Sequence, residues 1–212
     1  MSELTAIDVL IEPDATMVAR AERENARMLN SIPSPHGFAL DEHHRPHITT
    51  LQRYVRTAEL DAVFAAIQKV QSDLDLGSLT FAAEAIRHME VQPGVGIAAV
   101  VVKPGQQVLD FQAKLIDALA PYVESGGGAD AYVRTDAEPD INDATIHYID
   151  VYVPQHSGEN YVAHVTVGIA KLDDLARIEA EHFAPLTFAA SAISVYQLGN
   201  NGTAAKKLTT FD

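Results

Sequence analysis

A twelve-residue phrase occurs twice in this chain, as TFAAEAIRHMEV at 80–91 and TFAASAISVYQL at 187–198, identical at six aligned positions. Each copy follows an amphipathic stretch, RTAELDAVFAAIQKVQ or KLDDLARIEAEHF. Each of those follows a segment carrying His-x-Thr: HRPHITT at 44–50 and YVAHVTVG at 161–168. Further upstream, AIDVLIEP (6–13) and IAAVVVKP (97–104) are apolar strands ended by proline. They lead into DATMVARAERENARML and GQQVLDFQAKLIDALAPY, where spacing such as Val108, Phe111, Leu115, Ile116 and Leu119 predicts helix. The order strand, helix, loop, His-x-Thr strand, helix, TFAA strand is therefore given twice. Such a chain is expected to form a bilobal α+β fold, with two antiparallel-rich sheets and outer helices around a central cleft. The lobes would span roughly 1–96 and 97–212 of one domain.

Two segments interrupt the symmetry, and both lead into a His-x-Thr strand. SIPSPHGFALDEHHR (31–45) is a loop rich in Pro, Gly and His. Residues 125–160 form a longer one, within which TIHYIDVYV alternates as a strand would. Long loops beside such strands are expected at the rim of a site.

On a strand, side chains two apart share a face, so His47 projects with Thr49 and His164 with Thr166, while Ile48 and Val165 turn into the core. A pseudo-two-fold axis would bring both pairs to one cleft. Two imidazoles that titrate near neutrality can act as general base and general acid in one turnover. Two hydroxyls can donate to the equatorial oxygens of a phosphodiester. That chemistry needs no metal and no cofactor. His43 and His47 are four apart, but Pro46 removes the helix that such ligand spacing requires, and no third ligand is evident. His43 and His44 are read as solvated loop residues, and His36, His88, His147, His156 and His182 as surface or structural ones. Arg53 continues the alternation from His47 but lies roughly 20 Å along the strand, at about 3.3 Å per residue. Tyr196, Arg134 and Phe38 are the candidate substrate-binding residues: a strand tyrosine, a loop arginine able to fold over the cleft, and a loop aromatic able to cap a base. Tyr196 and Phe38 also read as a half-buried strand residue and a core anchor.

The net charge of −14 disfavours long nucleic acid, whose binding rests on Lys and Arg, but allows a small phosphorylated or nucleotide substrate. The absence of cysteine removes thiolate sites and disulfides. MSELTAIDVLIEP lacks a basic n-region, and the longest apolar run, VGIAAVVV, is too short to cross a bilayer, so a cytoplasmic protein without membrane contact is expected. One chain supplies both halves of the cleft, so a monomer suffices.

The triplets HIT (47–49) and HVT (164–166), with the duplicated units that carry them, resemble the 2H phosphoesterase superfamily, which includes 2′-5′ RNA ligase-like proteins and cyclic phosphodiesterases. The ending ISVYQLGNNGTAAKKLTTF resembles the last hairpin of that family. The resemblance implies metal-independent hydrolysis of a cyclic phosphodiester, or its ligase-like reverse. It gives catalytic roles to His47, His164, Thr49 and Thr166, with His164 activating water and His47 protonating the leaving group. RNA-ligase-like members usually carry an arginine soon after the second motif, whereas HVTVGIAK has none. A module that binds a nucleotide or phosphometabolite without turning it over remains the alternative, as does a metal-dependent hydrolase built on the loop histidines.

Overall fold

The computed structural model describes residues 3–31 and 37–211. His36 lies outside the described residues. Seven strands run β1 (Leu4–Pro13), β2 (Ile48–Arg56), β3 (Thr80–Gln92), β4 (Val95–Lys103), β5 (His164–Lys171), β6 (Leu186–Leu198) and β7 (Ala204–Phe211). The helices are α1 (Ala15–Leu29), α2 (Leu60–Gln71), α3 (Gln106–Leu119), α4 (Asp143–His156) and α5 (Leu172–Ala180). The strands are ordered β2-β1-β6-β3-β4-β5 with β7 beside β6, and every pairing is antiparallel. The two expected sheets are thus joined through β6 into one.

The strand order is itself two-fold: β1, β2 and β6 mirror β4, β5 and β3. Each half of the sheet takes two strands from one sequence repeat and the third from the other. A boundary near residue 96 therefore divides the repeat but not the sheet. The axis passes where β3 meets β6, at Phe81 opposite Phe188, with Thr80 opposite Ala189 and Ala82 opposite Thr187. These are the duplicated TFAA residues pairing with each other. The Phe81 and Phe188 rings stack with centroids 5.3 Å apart, and both are buried.

Helices are exchanged as well. Helix α1 packs on β5, and α3 packs on β2 beside α2, while α5 covers β3. Asp14 starts α1 by accepting the Thr16 and Met17 amides, the capping geometry that short acidic side chains provide. Its other oxygen takes the Ala189 amide, which ties the helix start to β6. Between sheet and helices lies one continuous core that includes Ile7, Val9, Ile11, Ile48, Val165 and Val195.

Three expectations change. TIHYIDVYV is part of helix α4, not a strand. Asn142 caps it through the Thr145 amide, and Thr145, Ile149 and Tyr152 bury one helical stripe. The β-branched and aromatic residues that suggested alternation serve that stripe equally well. The two proline-ended strands correspond with a slip of two residues, because Val9 and Leu10 occupy the places of Ala98 and Ala99 beside the His-x-Thr strands. Finally, β-bulges at Thr50 and Val167 reset the alternation after each threonine. Leu51 is therefore in the core, Gln52 takes its place on the cleft side, and Arg53 turns away from it. Among the described residues no helix is long and apolar enough to cross a membrane.

Candidate active site

The sheet curls until its two edge strands, β2 and β5, approach each other. Tyr161, three residues before His164, donates its hydroxyl to the Thr49 carbonyl at 2.7 Å. The two His-x-Thr strands are thus neighbours. Both histidines are held alike: His47 Nδ1 bonds the Arg45 carbonyl at 2.7 Å and His164 Nδ1 the Val162 carbonyl at 2.8 Å. A carbonyl only accepts, so Nδ1 carries the proton in each ring and Nε2 is the atom left for chemistry.

The symmetry stops at a residue that neither motif contains. Asp8, on β1, is fully buried, and its Oδ2 accepts the Thr49 hydroxyl at 2.6 Å and the Gln52 amide at 3.1 Å. The same oxygen lies 3.4 Å from His47 Nε2. The corresponding position of the other half is Ile97, which is opposite Ile169 as Asp8 is opposite Gln52. The histidines consequently differ. Burial disfavours the charged form of His47, but its hydrogen bond to Asp8 and that carboxylate's charge outweigh burial and raise its pKa. For His164, burial and then the charge of His47 hold the pKa below the ordinary value, against the Val162 hydrogen bond. Among the described residues, Asp8 Oδ1 is buried without a hydrogen-bond partner. A carboxylate oxygen left so costs stability, and such groups call for a task nearby; the group beside this one is His47.

Tyr196, opposite Asp8 on β6, is buried, and its hydroxyl donates to Glu12 at 3.3 Å. It lines a small cavity beside His47 together with Leu10, Glu12 and Arg45. Lys207 bonds the same Glu12 carboxylate at 2.6 Å, and its charge, after the opposing effect of burial, helps to hold that carboxyl below its usual range. Phe38 is buried against Ile169, Val95 and Ile97 and stacks on His44 at 4.8 Å, which is the core anchor, not a free base cap. Arg134 pairs with Asp130 at 2.9 Å. Helix α4 contributes side chains that the sequence did not single out. Tyr148 and Tyr152 pack edge to face, Tyr148 lies 4.5 Å from His156, and both tyrosines feel the charge of Asp8. Helix α4 packs on β2, the strand that carries Thr49.

His44 is not a solvated loop residue. It is nearly buried between Asp41, 2.8 Å from Nδ1, and Glu138, 2.9 Å from Nε2, and so joins the first loop to the second. Burial opposes its charge, but these two carboxylates raise its pKa. The stabilisation it gives is complete below the ordinary histidine value of about 6.5 and is lost as pH rises through the raised one. His44→Ala should lower the urea midpoint more at pH 6 than at pH 9; an equal loss at both would contradict this. Among the described residues no group of three His, Asp or Glu side chains is placed to hold a metal ion.

No family model matches the sequence, and no curated protein matches it. Solved structures do match. The crystal structure of TT0787 from Thermus thermophilus superposes with a TM-score of 0.54 at 14% identity, covering 98% of this chain and 97% of that one. E. coli LigT complexed with NADP+ superposes with a TM-score of 0.51 at 13% identity, covering 99% of this chain and 98% of that one. From end to end, the chain shares the fold of these two proteins.

Proposed function

We propose that the cleft hydrolyses a small cyclic phosphodiester, a 2′,3′-cyclic nucleotide or a related compound, by metal-independent acid–base catalysis. His164, held neutral, takes a proton from water through Nε2 as the water oxygen bonds phosphorus. The phosphorus–oxygen bond to the leaving alkoxide breaks, and His47, held protonated, gives that alkoxide its proton from Nε2. Thr166 donates to an equatorial oxygen, whereas Thr49, expected to do the same, gives its hydroxyl proton to Asp8 and so steadies the carboxylate beside His47. The observation that carries this reading is Asp8: a buried carboxylate 3.4 Å from His47 Nε2, with Ile97 at the matching place beside His164, supports a charged His47 and a neutral His164 and so opposite roles for the two. E. coli LigT, which shares the fold, is complexed with NADP+ in its crystal structure, which supports a nucleotide-type ligand for this chain.

Turnover then requires His164 neutral and His47 charged. The acid limb of kcat/KM should lie below about 6.5 and the alkaline limb above it, since the two values are displaced in opposite directions. Asp8→Asn keeps the size of the side chain and removes the charge. It should bring the alkaline limb down towards the ordinary histidine value and lower the acid limb less, because Asp8 acts on His164 through its charge alone. An alkaline limb that stays where it was would overturn the assignment of acid and base.

A further inference from the structure

Each β-bulge beside a His-x-Thr pair frees a backbone carbonyl, and each is met by a buried side-chain amide from an exchanged helix. On α3, Gln112 donates from Nε2 to the Thr50 carbonyl at 2.9 Å, while its Oε1 accepts the Gly158 amide at 2.9 Å. On α1, Asn25 donates from Nδ2 to the Val167 carbonyl at 3.0 Å and to the Phe38 carbonyl at 2.9 Å, while its Oδ1 accepts the Leu40 amide at 3.1 Å. The partners fix the orientation of both amides, since a carbonyl cannot donate and a backbone N–H cannot accept. Both residues are buried, Gln112 to 1% exposure and Asn25 to 4%. The close approach on the second strand depends on Gly168, whose φ of +147° lies in the region open to glycine and whose added Cβ would lie 2.9 Å from Asn25 Nδ2.

The pattern is crossed. Gln112 ties the bulge of the His47 strand to the loop that leads into His164. Asn25 ties the bulge of the His164 strand to the loop that leads into His47. We infer that Asn25 and Gln112 are positioning residues, a matched pair of braces that fixes the two His-x-Thr strands at the separation acid–base catalysis across the cleft requires. The inference rests on the proposed hydrolysis for its catalytic consequence, and on the hydrogen bonds alone for its structural one. Both amides lie on the helix that follows the first strand of each repeat, but at different positions along it, so the same task is met twice by different residue types. Buried amides that only filled space would be replaceable by apolar side chains of the same size. Braces would not be, because reacting groups misplaced by about 1 Å cost on the order of a hundredfold.

The test uses Gln112→Met and Asn25→Leu, each compared with the wild type at a temperature where both are folded by circular dichroism. Turnover of 2′,3′-cyclic nucleotides should fall by roughly tenfold to a hundredfold in kcat, with KM changed less than about threefold. Independently of any turnover, the titrations of His47 and His164 followed by NMR should draw closer together as the rings separate. Exchange of the Gly158 amide should speed up in the first variant and that of the Leu40 amide in the second. A variant that does not fold is replaced by Gln112→Asn or Asn25→Ser, which keep a polar end out of reach of one partner, and the same outcomes are read. Folded variants with unchanged histidine titrations and kcat within about twofold of wild type overturn the inference. A wild type that turns over nothing, while the variants still shift the titrations, overturns the proposed hydrolysis and leaves the bracing intact.

Discussion

Replacing either His47 or His164 by alanine is expected to lower kcat for a cyclic phosphodiester by at least about a hundredfold, the low end of what a positioned acid or base supplies. The double variant should lose little beyond the worse single one. An acid without its base, or the reverse, no longer completes the proton traffic of the step, and groups that act as a unit are not additive. Substrate binding should change far less than kcat, because both rings are anchored through Nδ1 to main-chain carbonyls and alanine leaves the strands in place. Losses of less than about tenfold in either variant would remove that histidine from the mechanism.

Phe81→Ala should be the most damaging single change to stability, by about 3–5 kcal/mol for the cavity, with some further loss from the stacked pair. Phe81 and Phe188 lie where β3 meets β6 through only four paired residues, Thr80 to Ala83 against Leu186 to Ala189, so few other contacts share their task. In a chain of 212 residues this corresponds to a fall of roughly 6–20 °C in the melting temperature. Phe81→Leu should cost much less. A loss below about 1 kcal/mol in Phe81→Ala would mean that the junction is held elsewhere, and denaturation by urea decides between them.

The duplication was legible because it is written in side chains that meet: TFAA pairs with TFAA on the axis, and the two His-x-Thr strands follow from that symmetry. The strand period placed Ile48 and Val165 in the core, as found. What escaped sequence reading depends on long-range contact. Asp8 was the signal most open to notice, a single acidic residue inside the apolar run AIDVLI, since a charge on a buried strand must answer to something. The bulge at Thr50 leaves no local mark at all, whereas the one at Val167 is followed by Gly168. Without the bulges, strict alternation from His47 carries Leu51 and Arg53 onto the cleft side that Gln52 occupies. Helix α4 was missed because valine, isoleucine and tyrosine suit a strand as well as a helix with one buried stripe. His44 could not be separated from His43 by sequence, because its second carboxylate, Glu138, comes from 94 residues away.

The central claim is that two histidines with separated protonation states cut a cyclic phosphodiester without a metal. The most direct measurement is turnover of 2′,3′-cyclic nucleotides and an ADP-ribose cyclic phosphate by the purified protein in excess EDTA, from pH 5 to 9. Full activity in EDTA, with a plateau between an acid limb below about 6.5 and an alkaline limb above it, is the predicted result. Activity abolished by EDTA, or a rate that does not change across that range, would contradict it.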